Sequence, residues 1–251
     1  MTNYKKNKIL EISIPTETRT SVLEKILKYI NKPVGLFHIV SLNPENLVVA
    51  QKNNAFKKVI NEAKIKIIDG AGIVLAGRLL GIRVGERVSG VDLMEELIKV
   101  ASDRRLRVLM IGGSPYLADN LAKCYQKEYP KAEFLGTIGI KNIKKPTKSE
   151  EEAIYSIVVG YKPHLVFVAF GSPDQELWIE RHKSLFSGRV VMGVGGSFDY
   201  LSNKIKRAPV FIQKIGLEWL YRLFTQPWRW KRQLRLIKFT WLIIRQKWSK
   251  N

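Results

Sequence analysis

Polar and glycine-rich residues gather in four short segments, each directly after a run of apolar, β-branched residues. These segments are 41–44, 68–72, 111–115 and 170–176, and a further glycine turn at 193–199 closely follows the last one. In open α/β sheets, ligands bind where strands end and loops begin. Carboxylates, amides and backbone N–H groups in such loops can bind a polar substrate and move a proton. We therefore expect a substrate site built from these segments.

Asp69 and Asn43 each allow two interpretations. Asp69 follows an apolar strand pattern and precedes Gly70 and Gly72, which let a substrate approach the backbone closely. Its carboxylate either takes part in the chemistry or only caps the next helix. Asn43 stands before Pro44, which is typical of a helix start with asparagine as the cap and proline at the first position. The residue types alone leave both choices open.

Glycine turns extend the candidate site. Gly112, Gly113 and Ser114 join a strand to a helix, and a helix N-terminus can hold a phosphate or the polar end of a nucleotide. They match neither the dinucleotide-binding fingerprint nor the Walker loop. The turns at 171–176 and 193–199 lie at successive strand ends, which indicates a pocket rather than simple connections.

Several arrangements needed for other chemistries are missing from the sequence. No Asp-x-Asp pair occurs, so the usual carboxylate clamp for a metal-bound sugar nucleotide is absent. The three histidines, His38, His164 and His182, are scattered, and the single cysteine, Cys124, cannot complete a zinc site. The Gly-x-Ser-x-Gly motif of serine hydrolases is also absent. The usual metal clamp, a zinc site and a serine hydrolase elbow are therefore not expected.

Strand patterns and helix patterns alternate up to about residue 200. We predict strands at 35–40, 64–68, 107–111, 133–138, 164–170 and 189–194. We predict helices at 20–30, 44–53, 72–80, 91–103, 116–129, 149–160 and 175–184. This alternation predicts an α/β fold with a mostly parallel, Rossmann-like sheet covered by helices on both faces. We divide the chain into a catalytic core, 1–200, and a basic helical appendage, 201–251.

The appendage differs sharply from the core in composition. It carries thirteen Lys/Arg against one acid, Glu218, or about +12 of the net charge of +21 on the 251-residue chain. It also holds five of the six tryptophans. Arginines can neutralise phosphates where no metal does so. The candidates in the appendage are Arg222, Arg229 and Arg232.

One side of the predicted C-terminal helix collects large apolar residues. At about 100° per residue this stripe comprises Trp230, Leu234, Ile237, Trp241, Ile244 and Trp248. The stripe either packs on the core or meets an anionic partner, which is a phospholipid surface or a nucleic acid. A bilayer interface favours separate apolar and charged sides, so we expect an anionic membrane surface and no nucleic acid. A nucleic-acid-binding protein is the alternative.

The sequence contains no apolar run long enough to span a bilayer, and residues 1–10 do not resemble a secretory signal. We therefore expect a cytoplasmic protein that touches the inner face of the membrane from the side.

Several blocks of the chain, between about residues 35 and 235, together resemble the WecG/TagA/CpsF glycosyltransferases. The blocks are Asp69-Gly70-Ala71-Gly72, Glu86-Arg87-Val88-Ser89-Gly90-Val91-Asp92-Leu93, Gly171-Ser172-Pro173-Asp174-Gln175-Glu176, Gly195-Gly196-Ser197-Phe198-Asp199, and Ala208-Pro209 leading to Glu218-Trp219 and Arg222. Each block is modest by itself, but their order and spacing are specific.

The resemblance implies an inverting glycosyltransferase that needs no metal or cofactor. Members move N-acetylmannosamine or a related sugar from a UDP donor to N-acetylglucosamine on undecaprenyl diphosphate, and they build wall teichoic acid or other surface polysaccharides. N-acetylmannosamine is the expected sugar, and its uronic acid and glucose are the alternatives. The sequence leaves open the pathway and the oligomeric state, including a homo-oligomer.

The resemblance also assigns roles to individual residues. It makes Asp69 the catalytic base and places Ser41 where TagA-type members have a threonine near the reacting sugar. It assigns Gln175 to the pocket and Asp199 to the nucleotide. In the family, arginines of the appendage complete the site and contact the pyrophosphate. The resemblance matches these arginines to Arg222, Arg229 and Arg232. The candidate substrate-binding residues are Asn43, Gly112, Gly113, Ser114, Gly171, Gln175, Gly196 and Asp199.

These assignments agree with the chemistry of inversion. A carboxylate opposite the leaving group can take the proton of the attacking hydroxyl. Arginines and helix N-terminal amides can stabilise the charge on the departing UDP. We further expect the appendage to fold over the site when it docks on a membrane. The missing dinucleotide fingerprint argues against a soluble enzyme that uses a nicotinamide cofactor.

Overall fold

The computed structural model describes residues 7–227 and 230–249, and the side chains of residues 214, 231 and 232 lie outside this description. A short antiparallel hairpin, β1 (Lys8–Ile9) and β2 (Ile12–Ser13), comes first. The strands that follow are β3 (Leu36–Leu42), β4 (Ile65–Ile68), β5 (Arg107–Gly112), β6 (Glu133–Thr137), β7 (Leu165–Ala169) and β8 (Arg189–Gly193). The helices up to residue 201 are α1 (Arg19–Asn31), α2 (Pro44–Ala50), α3 (Asn54–Glu62), α4 (Ala71–Leu79), α5 (Gly90–Asp103), α6 (Leu117–Glu128), α7 (Lys148–Tyr161), α8 (Asp174–Arg181) and α9 (Ser197–Leu201). The appendage contains α10 (Val210–Lys214), α11 (Glu218–Thr225) and α12 (Trp230–Trp248).

Six strands form one parallel sheet in the order β4-β3-β8-β7-β5-β6. Strands β3 and β4 form one side of the sheet, β5 and β6 form the other side, and β7 and β8 lie between them. Ser41 of β3 pairs with Ile67 of β4, and Val168 of β7 pairs with Gly193 of β8. The loops that follow β3, β4, β7 and β8 therefore lie side by side at one edge. The predicted α/β fold is confirmed.

Helices cover both faces of the sheet because successive residues of a strand point to opposite sides. In β7, Leu165 and Phe167 enter a buried cluster with α1, α5 and α6. Val166 and Val168 enter a cluster on the other face with α7 and α8. Farther along that second face, Val40 of β3 joins a cluster with α2, α3 and α4.

Three local features differ from the sequence-based expectation. The helix predicted at 44–53 is shorter, because α2 ends at Ala50, and a second helix, α3, follows it after the Asn53 side chain accepts a hydrogen bond from Phe56 N at 2.9 Å. Helix α3 was not predicted. The hairpin was also missed, since strands of two residues leave no periodic pattern. Strand β3 continues through Ser41 and Leu42, so Ser41 lies on a strand and not in a loop.

Helix α12 packs on the core with the side opposite its tryptophan stripe. Phe239 and Ile243 are 5% and 2% exposed and join the buried cluster of α2, α4 and the hairpin. Gln246 adds two hydrogen bonds, since its Oε1 accepts from Leu10 N at 2.9 Å and its Nε2 donates to Lys8 O at 3.0 Å.

The stripe itself stays open to solvent, and its members range from 38% exposed for Ile244 to 75% for Trp248. Packing of the stripe on the core, one of the two interpretations of the sequence, is therefore wrong. Among the helices of the described ranges, none combines the length and the apolar character needed to cross a membrane.

We predict that Ile243→Ala lowers the free energy of unfolding by about 2–5 kcal/mol, because the change leaves a cavity in the core. Ile237→Ala, on the exposed side of the same helix, is the matched control and should change it by less than about 0.5 kcal/mol. Urea unfolding of the full chain measures both values. Equal effects of the two changes would show that α12 is not part of the folded core.

Candidate active site

A polar cavity of about 150 Å³ lies at the carboxyl ends of β3, β4, β7 and β8. Seven of the predicted site residues line it: Ser41, Asn43, Asp69, Gly171, Gln175, Gly196 and Arg222. Further lining residues without a predicted role include Asn46, Ser89, Glu176, Tyr200, Arg207 and Glu218. Segments that are far apart in the sequence thus meet at one edge of the sheet, as expected for a parallel α/β fold.

Asp69 follows β4, and its backbone N–H donates to Leu42 O at 2.9 Å. Burial raises the pKa of the Asp69 carboxyl. The Arg222 guanidinium opposes this rise, the negative charge of Glu218 adds to it, and the backbone N–H of Gly90 again opposes it. A carboxylate with a raised pKa accepts a proton more readily, which suits a general base.

Gly90, the first residue of α5, brings the Ser41 hydroxyl and the Asp69 carboxylate to one place. A Cβ atom at Gly90 would lie 3.3 Å from Ser41 Oγ and 3.4 Å from Asp69 Oδ2. Any side chain at this position would therefore crowd both groups. The parallel pairing of β3 with β4 sets Ser41 beside the strand end that carries Asp69.

Asn43 both caps α2 and lines the cavity. Its Oδ1 accepts from Asn46 N at 2.9 Å, as the helix-start interpretation predicts. Asn46 in turn donates from its Nδ2 to Ser41 O at 3.0 Å. The two asparagines therefore brace the end of β3 that holds Ser41. Contact of Asn43 with a substrate stays a prediction.

Gln175 connects the two glycine turns of the pocket. Its Oε1 accepts from Gly171 N at 3.0 Å and from Gly195 N at 3.1 Å, and its Nε2 donates to Glu176 Oε1 at 2.7 Å. A Cβ atom at Gly193 would lie 2.5 Å from Gln175 Nε2, so the strand end needs glycine there. Both the oxygen and the nitrogen of the Gln175 side-chain amide therefore form hydrogen bonds within the protein. Burial raises the pKa of Glu176, and the hydrogen bond from Gln175 opposes the rise.

Four predicted residues do not line the polar cavity: Gly112, Gly113, Ser114 and Asp199. Lys204 connects two of them, since its Nζ donates to Ser114 Oγ at 3.0 Å and lies 3.9 Å from Asp199 Oδ1. Packing accounts for Gly112, where a Cβ atom would lie 2.8 Å from the Phe170 ring. Nucleotide binding by this group stays a prediction.

Arg222 reaches the cavity from α11. It forms an ion pair with Glu218, and its guanidinium carbon lies 4.7 Å from the centre of the Tyr200 ring. Burial lowers the pKa of Arg222, but the charges of Glu218, Tyr200 and Asp69 and the hydrogen bond to Glu218 together raise it above its ordinary value. Arg229 lies outside the described residues, and so does the side chain of Arg232.

A second cavity, of about 740 Å³, lies between α4, α11 and α12. Most of its lining is apolar and includes Leu75, Ala76, Leu79, Leu217, Trp219, Leu236, Ile237, Phe239 and Ile243. Both cavities share Asn43, Asp69, Ser89, Arg207, Glu218 and Arg222. Asp69 and the two arginines therefore stand at the junction of a polar and an apolar cavity.

The positive charge at the junction comes from arginines. Within residues 7–227 and 230–249, no three His, Cys, Asp or Glu side chains are grouped closely enough to hold a metal ion. Arg222 was predicted, whereas Arg207 and the apolar cavity were not. The one sequence signal for Arg207 is its place directly before Ala208-Pro209, part of the motif set that resembles the glycosyltransferases.

Comparison with known proteins identifies the family. The model of the "Glycosyl transferase WecG/TagA/CpsF family" matches residues 7–251. The chain belongs to this glycosyltransferase family.

Three relatives carry the name N-acetylglucosaminyldiphosphoundecaprenol N-acetyl-beta-D-mannosaminyltransferase. The one from Bacillus subtilis (strain 168) is 32% identical over 92% of this chain and 88% of its own length. The one from Bacillus spizizenii is 31% identical over 86% of this chain and 82% of its own length. The one from Staphylococcus aureus (strain MRSA252) is 31% identical over 93% of this chain and 89% of its own length.

The electrostatics of the junction predict how Asp69 titrates. Its pKa should lie above the ordinary aspartate value, and Glu218→Gln should lower it, because the change removes a negative charge that raises it. Carboxyl ¹³C NMR of protein labelled at aspartate measures the pKa directly. Glu152→Gln, an exposed site on α7, is the control with the same charge change. An Asp69 pKa that rises in Glu218→Gln, or shifts equally in the control, would contradict this account.

Proposed function

We propose that this glycosyltransferase moves N-acetylmannosamine from a UDP donor to N-acetylglucosamine on undecaprenyl diphosphate, with inversion and without a metal. The names of the three relatives support the sugar and the acceptor. The observation that carries the proposal is the junction of a polar and an apolar cavity at Asp69. A transfer between a water-soluble donor and a lipid-linked acceptor needs such a meeting point.

The polar cavity is the proposed place of the donor sugar and its diphosphate. It is enclosed by the glycine turns that Gln175 holds together, and glycines let a ligand come close to backbone N–H groups. The nucleotide would extend toward Ser114, Lys204 and Asp199, which lie beyond the lining. The Ser41 hydroxyl, beside Asp69, would contact the reacting sugar.

The apolar cavity is the proposed place of the first prenyl units of the acceptor. Its wall combines buried residues of α12 with exposed apolar residues. Leu75 on α4 is 61% exposed, and Ile237 on α12 is 70% exposed. Exposed apolar walls suit a lipid that enters from a bilayer, because the lipid then never leaves an apolar environment. Ile237 also belongs to the exposed stripe, so the cavity and the proposed membrane-binding surface are continuous.

The chemistry follows from the position of Asp69. Its carboxylate takes the proton of the acceptor hydroxyl while the hydroxyl oxygen bonds to the anomeric carbon. The bond from that carbon to the phosphate oxygen breaks on the opposite side, and its electron pair leaves with UDP. The Arg222 guanidinium supplies positive charge to the leaving diphosphate, a role that a metal serves in other transferases.

Binding to an anionic membrane surface from the cytoplasmic side completes the proposal. The open side of α12 carries Trp241 and Trp248, 56% and 75% exposed, and basic residues such as Lys238 and Arg245 lie along the same helix. Tryptophan and cationic side chains suit the headgroup layer, where an apolar ring and a charged group are both accommodated.

A transfer assay tests the reaction. In EDTA, the wild type should release UDP from UDP-N-acetylmannosamine and form a disaccharide on a short-prenyl diphosphate-N-acetylglucosamine acceptor. Asp69→Asn should reduce the rate by at least about 100-fold because the base is lost. Asp103→Asn, an exposed aspartate at the end of α5, should keep full activity.

The other outcomes of this assay are also informative. Turnover with a different UDP-sugar would keep the mechanism and replace the donor. Activity that disappears in EDTA and returns with a divalent cation would contradict metal independence. No turnover with any UDP-sugar would overturn the proposed function.

Vesicle sedimentation tests the membrane surface. The wild type should bind anionic vesicles, and Trp241→Gln combined with Trp248→Gln should weaken binding by about tenfold or more, since two exposed rings are lost. Tyr155→Gln, which removes an exposed ring on α7, should leave binding unchanged. Tighter, salt-sensitive binding to oligonucleotides than to vesicles would favour the nucleic-acid alternative.

A further inference from the structure

Arg207 lines both cavities, as Arg222 does, but has no role in the reaction described so far. It lies on the segment between α9 and α10. Its Nη1 donates to Asp92 Oδ1 at 2.6 Å, and its Nη2 donates to Ser89 Oγ at 3.0 Å. These contacts hold the guanidinium at the start of α5.

Each arginine of the junction has one buried donor without a hydrogen-bond partner among the described residues. The Nε–H groups of Arg207 and Arg222 are both buried, and neither has a hydrogen-bond partner among the described residues. A buried guanidinium N–H without an acceptor is costly, because it has lost its hydrogen bonds to water. Two such groups at one place indicate a ligand that brings several acceptor oxygens.

The position of Arg207 relative to α5 leads to the same conclusion. Ser89 caps this fourteen-residue helix by accepting from Asp92 N at 3.2 Å, so Arg207 sits at the helix N-terminus. A cation is unfavourable there, since the helix dipole places partial positive charge at that end. The carboxylates of Asp92 and Glu218 offset part of this positive charge.

We propose that Arg207 binds the diphosphate of the sugar-nucleotide donor together with Arg222 and stabilises the departing UDP. This proposal rests on the proposed function and adds a residue to it. As the bond from the anomeric carbon to the phosphate oxygen breaks, the electron pair moves onto that oxygen. The two guanidinium groups then face the added charge, while Asp69 holds the proton from the acceptor.

Burial lowers the pKa of Arg207, but the hydrogen bond to Asp92 and its charge outweigh burial and raise the pKa. Arg207 therefore stays charged throughout the cycle, with Asp92 as its ionic partner. The competing explanation is that Arg207 only anchors the segment between α9 and α10 to α5.

Binding of UDP to the full-length protein separates these explanations. Arg207→Gln should weaken UDP binding by about 10- to 100-fold, the value of a charge-assisted hydrogen bond, and should leave the affinity for uridine unchanged. Asp92→Asn breaks the same anchoring contact but keeps the cation, so it should bind UDP at least as tightly as the wild type. Arg104→Gln, at the exposed end of α5, controls for the loss of one positive charge.

Titration calorimetry with UDP and with uridine measures these affinities, and thermal unfolding checks that each variant is folded. If Arg207→Gln does not fold, Arg207→Lys replaces it, and a single ammonium group should still weaken UDP binding but not uridine binding. Equal losses in Arg207→Gln and Asp92→Asn, or equal losses for UDP and uridine, would overturn the role of Arg207. A wild type that does not distinguish UDP from uridine would overturn the proposed donor, and the inference with it.

Discussion

The ionised form of one carboxylate, Asp69, must be stabilised in a place where water reaches it poorly. Burial alone would favour the neutral acid, so the site needs a positive charge and a backbone donor near this side chain. The charge comes from Arg222 on α11, and the donor is the N–H group of Gly90 at the start of α5. The proton affinity of the proposed base therefore depends on the appendage. In this structure α12 packs on the core, and Glu218 and Arg222 of α11 line the polar cavity.

Each of the two arginines of the junction is paired with a carboxylate. Arg222 has Glu218 as its partner, and Arg207 has Asp92. Each carboxylate keeps its guanidinium charged and correctly placed, since an unpaired buried cation would be costly. The Nε–H groups of both arginines have no acceptor among the described residues. This combination suits the diphosphate site that we propose.

Helix α12 is apolar on two opposite sides. Phe239 and Ile243 bury one side against α2 and the hairpin, and Gln246 adds hydrogen bonds to the hairpin. The other side keeps large aromatic rings exposed to solvent. One helix thus joins the protein core to the surface that we propose for the membrane.

Alternating strand and helix patterns are local properties of the chain, so they predict the parallel sheet, most of its strands and a candidate site at the carboxyl ends of the strands. The composition also shows that the appendage is basic and rich in tryptophan, and the motifs indicate Asp69, Ser41 and Arg222 as site residues. Which groups are neighbours depends on the tertiary structure. Gln175 holds two glycine turns together. Gly112 to Ser114 lie outside the cavity lining, and Arg207, which was not predicted, lies within it. The buried side of α12 was likewise set by the shapes of α2 and the hairpin. These outcomes depend on contacts between residues far apart in the chain, and no local pattern records such contacts.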